Sequence, residues 1–339
     1  MKNTDEIQFS VAMCTYNGEA YIREQLQSIL EQEVPVDEIV VADDGSTDGS
    51  VEMVREMLSQ SGIRHEIIVN KKNLGFRKNF EQAIGKTHGK IVFLSDQDDV
   101  WKREKVRATW EHFRKNPACL LVFSNAEVVD EKQNPQAMDL WDSLMLKKET
   151  LTGIDWKRLF LKGWYVTGAV TAIRRELFEE ATPFPENCYH DAWLGMRAAL
   201  RSGIEPEPEK LICYRQHGEN QIGTAASRAA RWQKRLKVLK TSGQAQIEIH
   251  RQYAMMYREI EEGFSDLLAA DPAFWEELKA CTHYHQELAG LKDLRVRERL
   301  RVIARNHRQG NFKRFAKSAA AMRGDLLYAL ADGIGKPCV

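Results

Sequence analysis

Cysteine is scarce and scattered. The six thiols, Cys14, Cys119, Cys188, Cys213, Cys281 and Cys338, show no paired CxxC spacing. That argues against a zinc ribbon or a disulfide framework and suits a reducing cytoplasm. Long hydrophobic runs are missing too: none approaches the roughly 18 apolar residues that a membrane span needs. The opening segment MKNTDEIQFS lacks the apolar core of a signal peptide. The ending KPCV places Cys338 one residue from the terminus, outside the prenylation spacing. No repeat is visible, and the only low-complexity tract is the short KSAAA. Net charge is absent as well, with 49 basic residues against 49 acidic ones. The expectation is a cytoplasmic globular chain. With 339 residues, 43% of them hydrophobic and 29% charged, it is long enough for one large domain and an appendage.

What is present begins with alternation. FSVAMCTY reads as a strand, and GEAYIREQLQSILEQ as an amphipathic helix with Tyr21, Ile22, Leu26, Ile29 and Leu30 on one side. DEIVVADDGS and HEIIVN read as further strands, with TDGSVEMVREMLSQ as the helix between them. FRKNFEQAIG follows as a helix and GKIVFLSD as a fourth strand. Such alternation predicts parallel βαβ units, a twisted sheet flanked by helices. Ligands of such sheets lie beyond the carboxyl ends of the strands. The unusual polar residues gather there: Thr15, Tyr16 and Asn17 after the first strand, Asp43 and Asp44 after the second, Asn70 and Asn73 after the third, and Asp96 to Asp99 after the fourth. Farther on, CLLVFSNAEVV and AVTAIRR read as strands, and WKRLFL and DAWLGMRAALRSG as helices, with Gly203 as a C-cap. From about residue 224 the pattern is almost wholly helical. The expected domains are 1–223 and a helical region 224–339, divided near Gly223.

Four stretches carry chemistry. In VVADDGSTDGS, Asp43 and Asp44 either cap a turn or accept hydrogen bonds from a nucleotide. In VFLSDQDDVW, three carboxylates follow an apolar strand within four positions. Like charges so close need compensation, from solvent or from a cation. Strand alternation would aim Asp96 and Asp98 at one spot, where a hard cation such as Mg2+ or Mn2+ takes one or two carboxylates and completes its shell with substrate phosphates. In CYHDAWLG, Asp191 is either a helix N-cap or a general base, already deprotonated at neutral pH and ready to take a hydroxyl proton. In YRQHGENQIG, His217 is either a surface histidine or a metal ligand.

The order CTYNGE, ADDGSTD, NLGFRKNF, LSDQDDVW, YHDAWL and YRQHGEN, spanning roughly residues 7 to 223, resembles the family-two glycosyltransferases of GT-A fold. It looks most like their bacterial rhamnosyltransferase-like branch. The combination carries the resemblance, not any single motif. It implies a GT-A (Rossmann-like) mixed, mostly parallel sheet with a C-terminal helical appendage. It also implies a nucleotide-diphosphate sugar donor, dTDP-rhamnose or a UDP-hexose, lying across the strand ends. Thr15, Tyr16 and Asn17 would then line the nucleotide pocket, and Asp44 would contact the base or ribose. Asn73 and Lys78 would lie near the donor, with Lys78 available to a phosphate. Asp96 and Asp98 would form the DxD pair around a Mg2+ or Mn2+ ion, Asp98 the closer, with His217 as a third ligand. Asp191 would be the catalytic base, preceded by His190 where many members have Glu. Trp164, Tyr165 and Gly168 of GWYVTGAV would face the acceptor, although Trp164 also reads as a core residue. The implied reaction inverts the anomeric centre and serves bacterial surface polysaccharide synthesis on a saccharide or lipid-linked saccharide acceptor.

Two features stand apart. Between Lys292 and Arg323 there are eleven Lys or Arg against two acids, Asp293 and Glu298, with Val296, Leu300, Ile303, Phe312, Phe315 and Ala319 at helical spacing. Such a stretch either lies on the inner membrane surface or packs its apolar side onto the protein. Nothing else supports nucleic-acid binding, and a homo-oligomer is left open. Second, FLSDQDDV also fits the first motif of haloacid-dehalogenase-like phosphatases, with Asp96 as nucleophile and Asp98 as acid. That motif belongs on a first strand, and no GDxxxD follows. A non-catalytic nucleotide-sugar-binding protein is the third reading, opposed by the full set Asp44, Asp96, Asp98 and Asp191.

Overall fold

In a computed structural model, residues 8–151, 153–217, 243–317 and 322–326 are described. By their contacts these form two compact units. One comprises the described residues of 8–154 and 165–217; the other comprises Asp155–Trp164 and the described residues from 243 onward. The boundary expected at Gly223 lies outside the described residues.

The first unit follows the alternation of the sequence. Its elements are β1 (Phe9–Thr15), α1 (Ile22–Leu30), β2 (Glu38–Asp43), α2 (Ser50–Ser61), β3 (Arg64–Val69), α3 (Phe76–Lys86) and β4 (Ile91–Ser95). Then come β5 (Val100–Trp101), α4 (Lys105–Lys115), β6 (Leu121–Val129), α5 (Leu140–Leu144), β7 (Thr171–Arg174), α7 (Arg175–Ala181), α8 (His190–Leu200) and β8 (Ile204–Arg215), with α6 (Trp156–Phe160) in the other unit. The eight strands form one sheet in the order β3-β2-β1-β4-β7-β6-β8-β5. β1 pairs in parallel with β2 and β4, and β2 with β3; β7 runs antiparallel between β4 and β6. β1, β2 and β4 are buried along their whole length, as near-continuous apolar strands covered on both faces must be. Their shared direction brings Thr15, Asp43 and Ser95 to one rim.

Three local expectations change. Asp96 to Asp98 lie past the end of β4, in the turn before β5, so turn geometry and not strand alternation sets their direction. Asp191 is not the N-cap of α8: Tyr189 is, leaving Asp191 in the first helical turn. Nor does Gly203 cap that helix. The C-cap is Arg201, and Ser202 takes the left-handed conformation at φ 54°. Gly203 is needed for close approach, because a Cβ there would stand 2.8 Å from the Ala118 carbonyl oxygen.

The described residues of the second unit are helical, as expected: α9 (Gly243–Gly263), α10 (Ser265–Ala269), α11 (Pro272–Ala289), α12 (Val296–Arg308) and α13 (Asn311–Phe315). Asp271 caps α11 by accepting the Phe274 N–H, with Pro272 opening the first turn. The basic stretch is broken in two at Gly310, which adopts φ 73°. Its apolar residues Ile303, Phe312 and Phe315 are buried, the two phenylalanines against Tyr284. Ala319 lies outside the described residues. Among the described residues, no helix is long and apolar enough to cross a membrane.

Candidate active site

The rim is assembled by hydrogen bonds between successive strand ends. Asp43, buried, accepts the Thr15 hydroxyl at 2.7 Å, the Ser46 hydroxyl, and the backbone N–H groups of Gly45 and Ser46. It is the turn-forming carboxylate of the pair. Asp44 points the other way: its carboxylate accepts the N–H groups of Leu74 (2.8 Å) and Gly75 (2.9 Å) and the Asn70 amide. Asp44 thereby ties down the loop before α3. Asn73 joins it there, donating to the Asp44 carbonyl and accepting from Gly75 N–H. Asn17 adopts φ 49° and accepts the Thr47 N–H, while exposed Tyr16 exchanges two backbone bonds with the Gln97 amide. Lys78, expected near a phosphate, donates to Glu81 and to the Phe184 carbonyl.

The acidic turn divides its three carboxylates. Asp99 is buried and faces inward, accepting the Arg215 N–H at 2.9 Å. Burial, then the charges of Asp98 and Asp96, push its carboxyl well above the usual range. Lys105, fully buried on α4, lies near it, with its ammonium 4.9 Å from the centre of the Trp101 ring. Asp98 accepts from His217 Nε2 at 2.7 Å. The His217 side chain is only 5% exposed and stacks on Tyr21, so it is not a solvated surface histidine. Asp96 is raised to about 7, first by desolvation, then by Asp98 and Asp191. The last cause brings Asp191 into the group: three carboxylates from the β4–β5 turn and α8 share one field.

Asp191 is held from two sides. Its Oδ2 accepts the Gly168 N–H at 3.2 Å and its Oδ1 the Ala192 N–H at 2.7 Å. His190 is buried, its ring stacked 4.2 Å from that of Phe80, and burial lowers its pKa, keeping it neutral. A Cβ on Gly168 would lie 2.7 Å from His190 Nε2. Tyr165 is buried in the same unit. Trp164 belongs to the second unit, where it packs on Phe160 and Tyr257.

Sequence reasoning passed over Gln97 and Arg215. Gln97 sits between the two aspartates and bridges to Tyr16; as an ordinary turn residue it gives no signal. Arg215 follows the apolar run LICY, and a charge directly after such a run could have flagged it. Its Nε donates to the Asp98 carbonyl at 2.8 Å, its NH1 to the Glu131 carbonyl, and it pairs with Glu24.

A carboxylate cluster with one member held up near neutral pH fits a cation, whose charge would relieve the repulsion. Among the described residues no group of three or more His, Cys, Asp and Glu is placed to hold a metal ion.

Comparison with known proteins agrees with the geometry. Residues 10–182 match the model of glycosyl transferase family 2. The chain is 32% identical over 243 residues to the dTDP-rhamnosyl transferase RfbG of Shigella flexneri, covering 67% of this chain and 79% of that one. Among solved structures it resembles TarS of S. aureus in complex with UDP-GlcNAc, with TM-score 0.54 and 18% identity over 95% of this chain and 90% of that one. It also resembles the mannosyltransferase PcManGT of Pyrobaculum calidifontis in complex with GDP-Man and Mn2+, with TM-score 0.50 and 16% identity over 96% and 86% of the two chains. The fold is GT-A, a mixed and mostly parallel sheet flanked by helices.

Proposed function

Because this chain belongs to glycosyl transferase family 2, we propose that it transfers a sugar from a nucleotide-diphosphate donor to an acceptor hydroxyl with inversion at the anomeric carbon. The observation that carries this reading is the anchoring of Asp191 by Gly168 N–H beside the Asp96–Asp98 turn. Family membership sets the phosphatase reading aside.

The donor lies across the ends of β1, β2 and β4, with Thr15, Tyr16, Asn17, Asp44 and Asn73 toward the nucleoside and Lys78 toward the phosphates. Asp98, Asp96 and His217 would hold a divalent cation, Mg2+ or Mn2+, the remaining ligands coming from the diphosphate. Bound there, the cation supplies positive charge against the departing diphosphate. Asp191 takes the proton of the acceptor hydroxyl as its oxygen bonds to the anomeric carbon and the bond to the diphosphate oxygen breaks. Gly168 N–H and Ala192 N–H each hold one carboxylate oxygen, which fixes the direction in which a remaining lone pair of Asp191 accepts that proton. Tyr165 and Gly168 are assigned to the acceptor. The relationship to RfbG favours dTDP-rhamnose as donor, with a UDP-hexose as the competing choice. The acceptor is a saccharide or lipid-linked saccharide of a bacterial surface polysaccharide.

Turnover of a panel of nucleotide sugars, read as nucleoside diphosphate released in the presence of saccharide acceptors, tests the proposal. Asp191→Asn should lower kcat by about 10²–10⁴-fold while leaving donor binding intact. Undiminished turnover in that variant would remove Asp191 from the reaction. Donor binding without turnover of any sugar would favour the non-catalytic binding protein.

A further inference from the structure

Helix α12 carries arginines at 297, 301, 305 and 308, all exposed. Steps of four, four and three residues put them on one side of a helix. At 1.5 Å per residue they extend over about 17 Å. Arg301, Arg305 and Arg308, with Val302 and Gln309, line a shallow concavity of about 540 Å³. Exposed Lys313 and Arg314 on α13 add to the charge. The opposing acids are few: Asp293, Glu298, which accepts the Arg295 N–H, and Glu287, which pairs with Arg305. In a chain with no net charge this is a strong local excess. None of it is used by the transfer reaction.

We infer that this arginine face is a docking surface for an anionic lipid bilayer, held by headgroup phosphates and without insertion. Insertion needs an exposed apolar side, and here Ile303, Phe312 and Phe315 are buried within the unit. A row of charges about 17 Å long suits a plane of phosphates better than one enclosed anion. Nucleic acid is disfavoured because α12 has no Phe, Tyr or Trp on which bases could stack. Attraction to an anionic surface is worth a factor of about five per arginine and is screened by salt. The inference does not depend on sugar transfer.

The test is flotation of the full chain with vesicles of phosphatidylcholine alone or mixed with phosphatidylglycerol. The chain should float with the mixed vesicles at low salt, detach as salt rises, and ignore the neutral ones. The combined variant Arg301→Gln, Arg305→Gln, Arg308→Gln should weaken partitioning on the order of a hundredfold. Because Arg305→Gln leaves Glu287 without that partner, a second variant with Arg297→Gln, Arg301→Gln and Arg308→Gln guards against misfolding and should show a comparable loss. Equal binding to neutral vesicles, no binding to anionic ones, or unaltered binding in a folded variant would overturn the inference. So would competition by inorganic phosphate at constant ionic strength, which would mark a discrete anion site, or tighter binding to duplex DNA.

Discussion

At the scale of single residues, the main problem is how the protein keeps three aspartates within four positions. Asp99 lies in the field of a buried amine, Lys105, whose own pKa falls to about 7 because burial outweighs the attraction of that carboxylate. Lys105 Nζ and Asp99 Oδ2 make no hydrogen bond, so the amine acts on the carboxyl through its charge alone, and removing it takes that opposing charge away. Lys105→Met should therefore lower stability in thermal or urea denaturation, and adding Asp99→Asn should restore most of it. An unaltered melting temperature in Lys105→Met would show that Asp99 needs no counter-charge. Gly168 is a second sensitive position. A Cβ there collides with His190 Nε2, which is pinned on Phe80, so the backbone N–H that holds Asp191 must move. Gly168→Ala should lower kcat about tenfold or more with little effect on donor KM, since misplaced catalytic groups cost rate before binding. A proportional rise in donor KM would place Gly168 in donor binding instead.

Elements show more clearly what could be read in advance and what could not. β1, β2 and β4 were legible as short apolar runs closed by turn residues, β3 by its IIV core, and α1 to α3 by apolar residues at helical spacing. So was the rim, because Thr15, Asp43 and Ser95 end strands that run in one direction. β8 was not legible. Pro206 and Pro208 argue against a strand, yet β8 runs from Ile204 to Arg215. It tolerates them because β5 pairs only with Ile212 and Cys213, leaving the proline-bearing half with a free side, and because the pairing with β6 shifts register after Ser124. The role of Asp44 was equally hidden, since no spacing shows which loop its carboxylate will tie down.

The join between α4 and β8 depends on pH. His112 donates to Glu205 from Nδ1 (2.6 Å) and to Glu207 from Nε2 (2.8 Å), which requires the imidazolium. Its pKa is raised, chiefly by the bond to Glu207, against burial and with help from Glu205. A raised folded value means that this stabilisation is complete below the free imidazole value near ~6.5 and fades as pH climbs through the folded value. The melting-temperature gap between the native chain and His112→Gln should be widest below pH ~6.5 and narrow as the pH rises above it. A gap that widens with pH would contradict the assignment.

For the whole molecule, the first unit contains the residues of the proposed site, and the second contains the arginine face and Trp164, which the sequence alone had set at the acceptor. The helical character of the described residues from 243 onward was legible, but the break at Gly310 was not, because apolar spacing alone continued across it. The family was legible through the order of six motifs, each ordinary by itself. The central claim is that the acidic turn binds a nucleoside diphosphate through a divalent cation. Its most direct test is calorimetric titration of dTDP and UDP into the purified chain, with and without Mn2+ or Mg2+, alongside Asp98→Ala. The account predicts that one diphosphate binds, that the cation strengthens its binding, and that Asp98→Ala abolishes the cation-dependent part. Equal binding with and without the cation, or an unaffected Asp98→Ala, would contradict it.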